Sequence, residues 1–209
     1  MGYFPFFIDL AGREGLIAGG GEVAARKVRS LLPYGPRLTV AAPEVSSEIV
    51  SAPEVTVLRR PFGEELLAGK VFVIAATDDP AENHRIAALC RERDILVNVA
   101  DDRDWCGFLF PALVRRGGLT VGISTGGSSP AAAAWVRQQA EDLLPENFGE
   151  LLSFLESRRE EIRRTVPRAE DRSSFFRTLL RQCLALEADR WPGAYEALLG
   201  EFTGNINPA

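Results

Sequence analysis

Gly15-Leu16-Ile17-Ala18-Gly19-Gly20-Gly21-Glu22-Val23-Ala24-Ala25-Arg26-Lys27-Val28-Arg29-Ser30-Leu31-Leu32 is the stretch that decides the fold. A short apolar run, Gly15 to Ala18, reads as a buried strand and ends in three glycines. From Val23 to Leu32 the spacing becomes helical, with Val23, Val28, Leu31 and Leu32 on one face and Arg26, Lys27 and Arg29 opposed to it or flanking it. A strand, a glycine turn and an amphipathic helix in that order form the G-x-G-x-x-A version of a dinucleotide fingerprint. Gly19 would make the tight turn, Gly21 would let the backbone approach a pyrophosphate, and Ala24 would permit close packing of helix on sheet. The plain alternative is a structural turn with no ligand.

Outward from this unit the alternation continues. Strands are predicted near Arg37 to Ala42, Val55 to Arg59, Val71 to Ala76 and Ile95 to Ala100, and a second crossover helix over Pro80 to Arg93. Asp78-Asp79-Pro80 opens that helix, with Asp78 expected as its cap. The fold class is therefore α/β, with a Rossmann-type parallel sheet. After Asp101 the pattern changes. Phe108 to Val114 and Leu119 to Ser124 read as the arms of a hairpin turning at Arg115-Arg116-Gly117-Gly118. Gly126-Gly127-Ser128-Ser129 then leads to a helix from Ala131 to Leu144, and the chain beyond Pro145 reads as helical only. Pro167 and Trp191-Pro192-Gly193 are expected to separate three helices, with a frayed tail from Thr203 to Ala209.

Composition narrows the function. With 46% hydrophobic and 25% charged residues the chain is an ordinary globular protein, and its net charge of -5 argues against a general nucleic-acid binder. Cys90, Cys106 and Cys183 form no C-x-x-C pair, so neither a disulfide framework nor a zinc site is expected, and a reducing, cytoplasmic setting is. The opening Met1 to Ile8 lacks a basic segment, is broken by Pro5, and places Phe6 where a myristoylation motif needs Ser or Thr; neither a signal peptide nor a membrane span is expected.

In open parallel sheets ligands bind beyond the carboxyl ends of the strands, which here gather Gly19, Gly20, Gly21, Pro43, Glu44, Thr77, Asp78, Asp79, Asp101 and Asp102. Glu44 stands slightly late for the usual ribose acid. It reaches the adenosine ribose, or Pro43 and Glu44 line the adenine pocket with backbone; with no arginine beside them NAD is preferred over NADP. Asp101 faces the nicotinamide end and could take a proton during an oxidation, the alternative being a loop or capping acid. His84, the only histidine, reads as a surface residue, and no metal motif is present. Ser124, Thr125 and Ser128 offer hydroxyls at a helix start to a substrate carboxylate, or simply cap that helix through Ser128 or Ser129.

Five stretches taken together resemble one family: Tyr3 to Leu10, Gly19 to Lys27, Ala75 to Pro80, Asn98 to Asp102 and Ser124 to Pro130. It is the precorrin-2 dehydrogenase and sirohydrochlorin ferrochelatase family, which also forms the N-terminal module of bacterial sirohaem synthases. The resemblance implies NAD-dependent oxidation of precorrin-2 to sirohydrochlorin, in some members followed by insertion of ferrous iron as a second substrate. It implies a homodimer with an NAD-binding domain over residues 1–112, a dimerisation segment over 113–145 and a helical domain over 146–209. It places the catalytic acid at Asp101, NAD contacts at Glu22-Val23 and Pro43-Glu44, and Thr125 where some relatives carry a phosphorylated serine. A many-carboxylate tetrapyrrole would find Arg115, Arg116 or Arg137 as partners. A competing reading is a non-catalytic NAD-binding redox sensor, which would leave Asp101, the hairpin and the Ser-Thr-Gly-Gly loop without a task.

Overall fold

The computed structural model describes residues 3–204, which form two compact units: a first unit up to Phe110 together with Gly126–Ser128, and a second holding Pro111–Thr125 and the chain from Ser129. In the first, β1 (Glu14–Ala18) pairs in parallel with β2 (Arg37–Ala41) on one side and with β4 (Phe72–Ala75) on the other. β3 (Val55–Leu58) and β5 (Leu96–Val99) complete a five-stranded sheet in the order β3-β2-β1-β4-β5. All five expected strands are present: β1 begins one residue earlier than expected, and the other four are each trimmed by a residue or two. The order reverses between β1 and β4, so a crevice opens beyond their carboxyl ends, where such sheets bind ligands.

The reason these runs are strands is that both faces are covered. Side chains alternate across a strand, so Leu16 and Ala18 join Val73, Val97 and Val99 in one buried cluster, against Ile86, Ala87 and Cys90 of α3 (Pro80–Glu92). Ile17 points the other way, with Val40 and Ile74, onto Ala24, Ala25 and Val28 of α1 (Glu22–Leu31). A four-residue helix, α2 (Ser47–Val50), lies in the β2–β3 crossover and was not visible in the periodicity. The cap of α3 is Asp79, whose carboxylate accepts from the Ala81 amide at 2.9 Å; Asp78 does not cap it, because Pro80 at the first helical position puts the cap one residue later.

In the second unit β6 (Ala112–Arg116) and β7 (Leu119–Ile123) form an antiparallel hairpin. The arms are shorter than the sequence suggests. Phe108 and Phe110 pack instead against the cluster beneath α1, and the Phe108 carbonyl accepts from Asn98 at 3.0 Å, which withholds that stretch from pairing. The turn is Gly117-Gly118 alone, both arginines being strand residues. A side chain on Gly117, at φ +55, would lie 2.7 Å from the Gly149 Cα, so the turn and the start of α5 (Phe148–Thr165) meet backbone to backbone.

The helix α4 (Pro130–Leu143) follows the hairpin, and α5, α6 (Ala169–Leu184) and α7 (Trp191–Gly204) enclose a third core around Phe175, Leu179 and Tyr195. Pro167 does separate α5 from α6. Trp191-Pro192-Gly193 separates nothing: it opens α7, where a proline in the first turn costs no hydrogen bond, while the Trp191 indole N–H donates to the Cys183 carbonyl at 3.0 Å. Thr203 and Gly204 end that helix instead of fraying; positions 205–209 of the expected tail, like Met1 and Gly2, lie outside the described residues. The three cysteines are free and buried. Among the described residues no helix is long and apolar enough to cross a membrane.

Candidate active site

The glycine turn after β1 is built by exclusion. Gly19 has φ +124 and a Cβ there would fall 2.0 Å from the Ala76 carbonyl oxygen; a Cβ on Gly20 would fall 2.0 Å from that of Glu44. Both glycines are demanded by neighbouring backbone. Gly21 differs: nothing lies within 4 Å of its would-be Cβ, and its backbone is ordinary extended chain, φ -82 and ψ -164. It is the N-cap of α1 and offers no side chain to the first-turn amides, leaving an open cradle at a positive helix end. Beside it the Ser46 amide donates to the Gly20 carbonyl at 2.9 Å, and the buried Ser46 hydroxyl has no partner. Uncapped amides, open space and an orphaned hydroxyl suit a dinucleotide pyrophosphate. Pro43 and Glu44 stand exposed past β2.

Thr77 is less available than expected. Its amide donates to Asn83 at 3.0 Å, its carbonyl accepts from the Asn83 amide group at 3.1 Å, and its hydroxyl lies 2.8 Å from Asn83 Oδ1 and 3.1 Å from the Asp79 carbonyl. Buried Asn83 thus clamps the end of β4 to the first turn of α3.

Past β5 the chain turns sharply at Asp101, which adopts φ +59, a left-handed conformation that few side chains tolerate. Among the described residues nothing donates a hydrogen bond to its exposed carboxylate. The loop behind it is held firmly. Cys106 Sγ lies 3.2 Å from the Val99 amide, which donates to it, and 3.2 Å from the Asp102 carbonyl. His84 is not a plain surface residue: its Nε2 is 2.7 Å from Asp102 Oδ2, and its ring stacks on Trp105 at 4.4 Å, with Arg91 4.8 Å from the same indole. From α1, Lys27 places its ammonium 3.6 Å from the centre of the Phe110 ring. Lys27 was visible in the sequence as part of the basic cluster with Arg26 and Arg29, and Asn98 as the start of the Asn98 to Asp102 stretch, but the tasks of both, and those of Cys106 and the His84–Asp102 pair, were not. A polar Asn98 between buried Val97 and Val99 was the one signal available.

The remaining candidates divide. Ser128 belongs to the first unit, where Gly127 beside it lies against Arg103; Ser124, Thr125 and the three arginines belong to the second. Thr125 closes its own loop, its hydroxyl donating to the Ser129 carbonyl at 3.0 Å and accepting from the Ser129 amide at 3.1 Å. Ser129 is the cap of α4, through the Ala132 amide at 3.1 Å, and Ser128 is exposed. Arg115 is exposed on β6, the Nη1 of Arg116 donates to the Arg115 carbonyl, and Arg137 is engaged by Glu141 at 2.6 Å. The first-unit group at the sheet edge is thus Gly19, Gly20, Gly21, Glu22, Val23, Pro43, Glu44, Thr77 and Asp101.

Residues 6–112, just over half of the chain, match the family described as "Putative NAD(P)-binding". The chain belongs to this NAD(P)-binding family. Residues 116–143 of the same NAD(P)-binding chain match the family described as "Sirohaem biosynthesis protein central". It is 40% identical over 179 residues to the siroheme synthase of Photorhabdus laumondii, covering 84% of this chain and 38% of the relative. Siroheme synthase 2 of Aeromonas hydrophila is 36% identical over 202 residues, 95% of this chain and 43% of the relative. The chain thus spans about two fifths of the length of these curated relatives. A solved structure of SirC, a precorrin-2 dehydrogenase, superposes with a TM-score of 0.76 at 28% identity, covering 94% of this chain and 98% of that one. The resemblance read from the five motifs therefore holds.

Proposed function

We propose that this protein oxidises precorrin-2 to sirohydrochlorin with NAD as the acceptor. The observation that carries the reading is the placement of Asp101 at the same carboxyl edge of the sheet as the open glycine turn, in a chain that follows a precorrin-2 dehydrogenase along nearly its whole length. The pyrophosphate lies against Gly21 and the amides of Glu22 and Val23, with the adenosine end at Pro43 and Glu44. No arginine adjoins Pro43-Glu44 in sequence to meet a 2′-phosphate, which favours NAD over NADP. Bound NAD supplies a hydride acceptor, taking two electrons and one hydrogen. The chain's own task is to orient the tetrapyrrole and to remove the accompanying proton, which falls to the Asp101 carboxylate.

The left-handed backbone makes that assignment testable with one variant. Asn tolerates φ +59 as well as Asp does and keeps its shape, so Asp101→Asn removes the base and little else. Under anaerobic conditions, wild-type protein with precorrin-2 and NAD should form NADH and sirohydrochlorin together. The variant should lose turnover by about 100-fold or more with NAD affinity retained; wild-type turnover in the variant removes Asp101 from the role. Adding ferrous iron to the same mixture tests the further conversion to sirohaem.

The segment over 113–145 is proposed as the dimerisation segment of a cytoplasmic homodimer. On α4, Trp135 and Val136 are exposed and lie eight and seven residues before exposed Leu143, within one broad apolar stripe, Trp135 at 66% and Leu143 at 82%.

A further inference from the structure

We propose that Lys27 is a positioning residue for the oxidation, its ammonium supplying the positive charge that draws the Asp101 carboxylate into place; this rests on the reading of Asp101 as the base. Three observations carry it. First, Lys27 sits on α1 with its ammonium 3.6 Å from the Phe110 ring centre, half-buried, and no hydrogen bond or ion pair of the described residues engages it. A cation that has given up much of its water and taken an aromatic face, yet keeps three N–H donors unpaired, is poised for an anion. Second, Phe110, on which the ammonium rests, directly follows the loop after β5, and the groups that act on Lys27 electrostatically are Arg26 on its own helix and Cys106 and Asp101 on that loop. Burial and Arg26 bring the lysine from 10.5 down to about 8, while the thiol of Cys106 and the carboxylate of Asp101 act to restore it. Of these, only Asp101 is an acid with no hydrogen-bonding partner. Third, the chain has 24 basic residues, of which Lys27 and Lys70 are the only lysines. Lys70 donates to Glu14 at 2.9 Å and lies 3.4 Å from the Thr39 hydroxyl, a geometry that suits a compact ammonium. Lys27 is thus one of two positions at which this arginine-rich chain carries a compact, titratable charge.

The charge also has a stability signature. A lysine depressed in the folded chain penalises folding while it is charged, below about pH 8, and the penalty is relieved as pH rises toward 10.5. Lys27→Met should therefore raise the melting temperature at pH 7 while slowing turnover by about tenfold or more. A residue whose role is only structural would do the reverse.

With two lysines, side-chain resonances of isotopically dimethylated protein are simple to assign, and the Lys27 midpoint can be read without any turnover. Asp101→Asn should lower that midpoint, because a neighbouring negative charge is gone; an unmoved midpoint overturns the proposal even if precorrin-2 is not the substrate. Where wild-type protein does oxidise precorrin-2, its rate should fall as pH rises through about 8. Lys27→Arg should recover turnover over Lys27→Met and lose that alkaline fall. A Lys27→Met protein with wild-type rate and pH profile, or a Lys27→Arg protein that keeps the wild-type fall, refutes it. Absence of NADH formation by wild-type protein, with a midpoint that moves, refutes only the choice of substrate.

Discussion

At the scale of single residues, three adjacent glycines do two different jobs. Gly20→Ala drives a Cβ to 2.0 Å from the Glu44 carbonyl oxygen, so the backbone of two crossovers must part. We expect a loss of about 1 to 3 kcal/mol, measurable as a lower melting temperature. Gly21→Asp meets open space at an ordinary φ and gives α1 a favoured capping side chain, so the melting temperature should hold or rise. The same carboxylate occupies the anion cradle, and NAD affinity measured by calorimetry should fall at least tenfold; equal affinity would count against the turn as the pyrophosphate site. The motif was legible because the two roles share one string. What the string could not show is which glycine answers to a ligand and which to the protein. The tasks of Lys27, Asn98 and Cys106 stayed hidden for a related reason: the first two lie within recognisable stretches, yet all three act through residues remote in sequence.

At the scale of elements, strands buried on both faces announce themselves as apolar runs, and all five were read to within a residue or two. Phe108 to Pro111 has the same composition and is not a strand, because its aromatics are claimed by the core beneath α1 and its carbonyl by Asn98. The hairpin turn shows the complementary case, in which small residues far apart in sequence serve one contact. A Cβ at Gly149 would sit 2.8 Å from the Gly117 amide nitrogen, so Gly149→Ala must push the hairpin turn away from α5. The expected cost is about 1 to 3 kcal/mol, seen by thermal melting, with NAD binding to the first unit preserved. Unchanged melting would mean that this backbone contact is not a constraint. Nothing in a helix-start sequence such as Asn147-Phe148-Gly149 points to a turn 30 residues earlier.

At the scale of the whole molecule, the exposed apolar side chains of α4 sit poorly with a lone chain. Trp135→Asp combined with Leu143→Asp places two charges among them and touches no buried residue. Sedimentation should find a dimer for the wild type and a monomer for this variant, each with its melting temperature nearly unchanged. A wild-type monomer at micromolar concentration would leave the 113–145 segment without its proposed task.

The molecule also carries its own chemical timekeeper. Cys90 and Cys106 lie in the core of the first unit and Cys183 in that of the second, and burial pushes all three thiols up, Cys90 to about 11. At neutral pH a folded chain therefore presents almost no thiolate to an alkylating reagent, and each sulfur reacts only when its surroundings open. Mass spectra taken during slow alkylation would then record two opening rates, one for each set of cysteines. If Cys183 gains its label well before the other pair, the helical unit opens while the nucleotide-binding sheet remains closed; simultaneous labelling would mean that the two cores open as a single event.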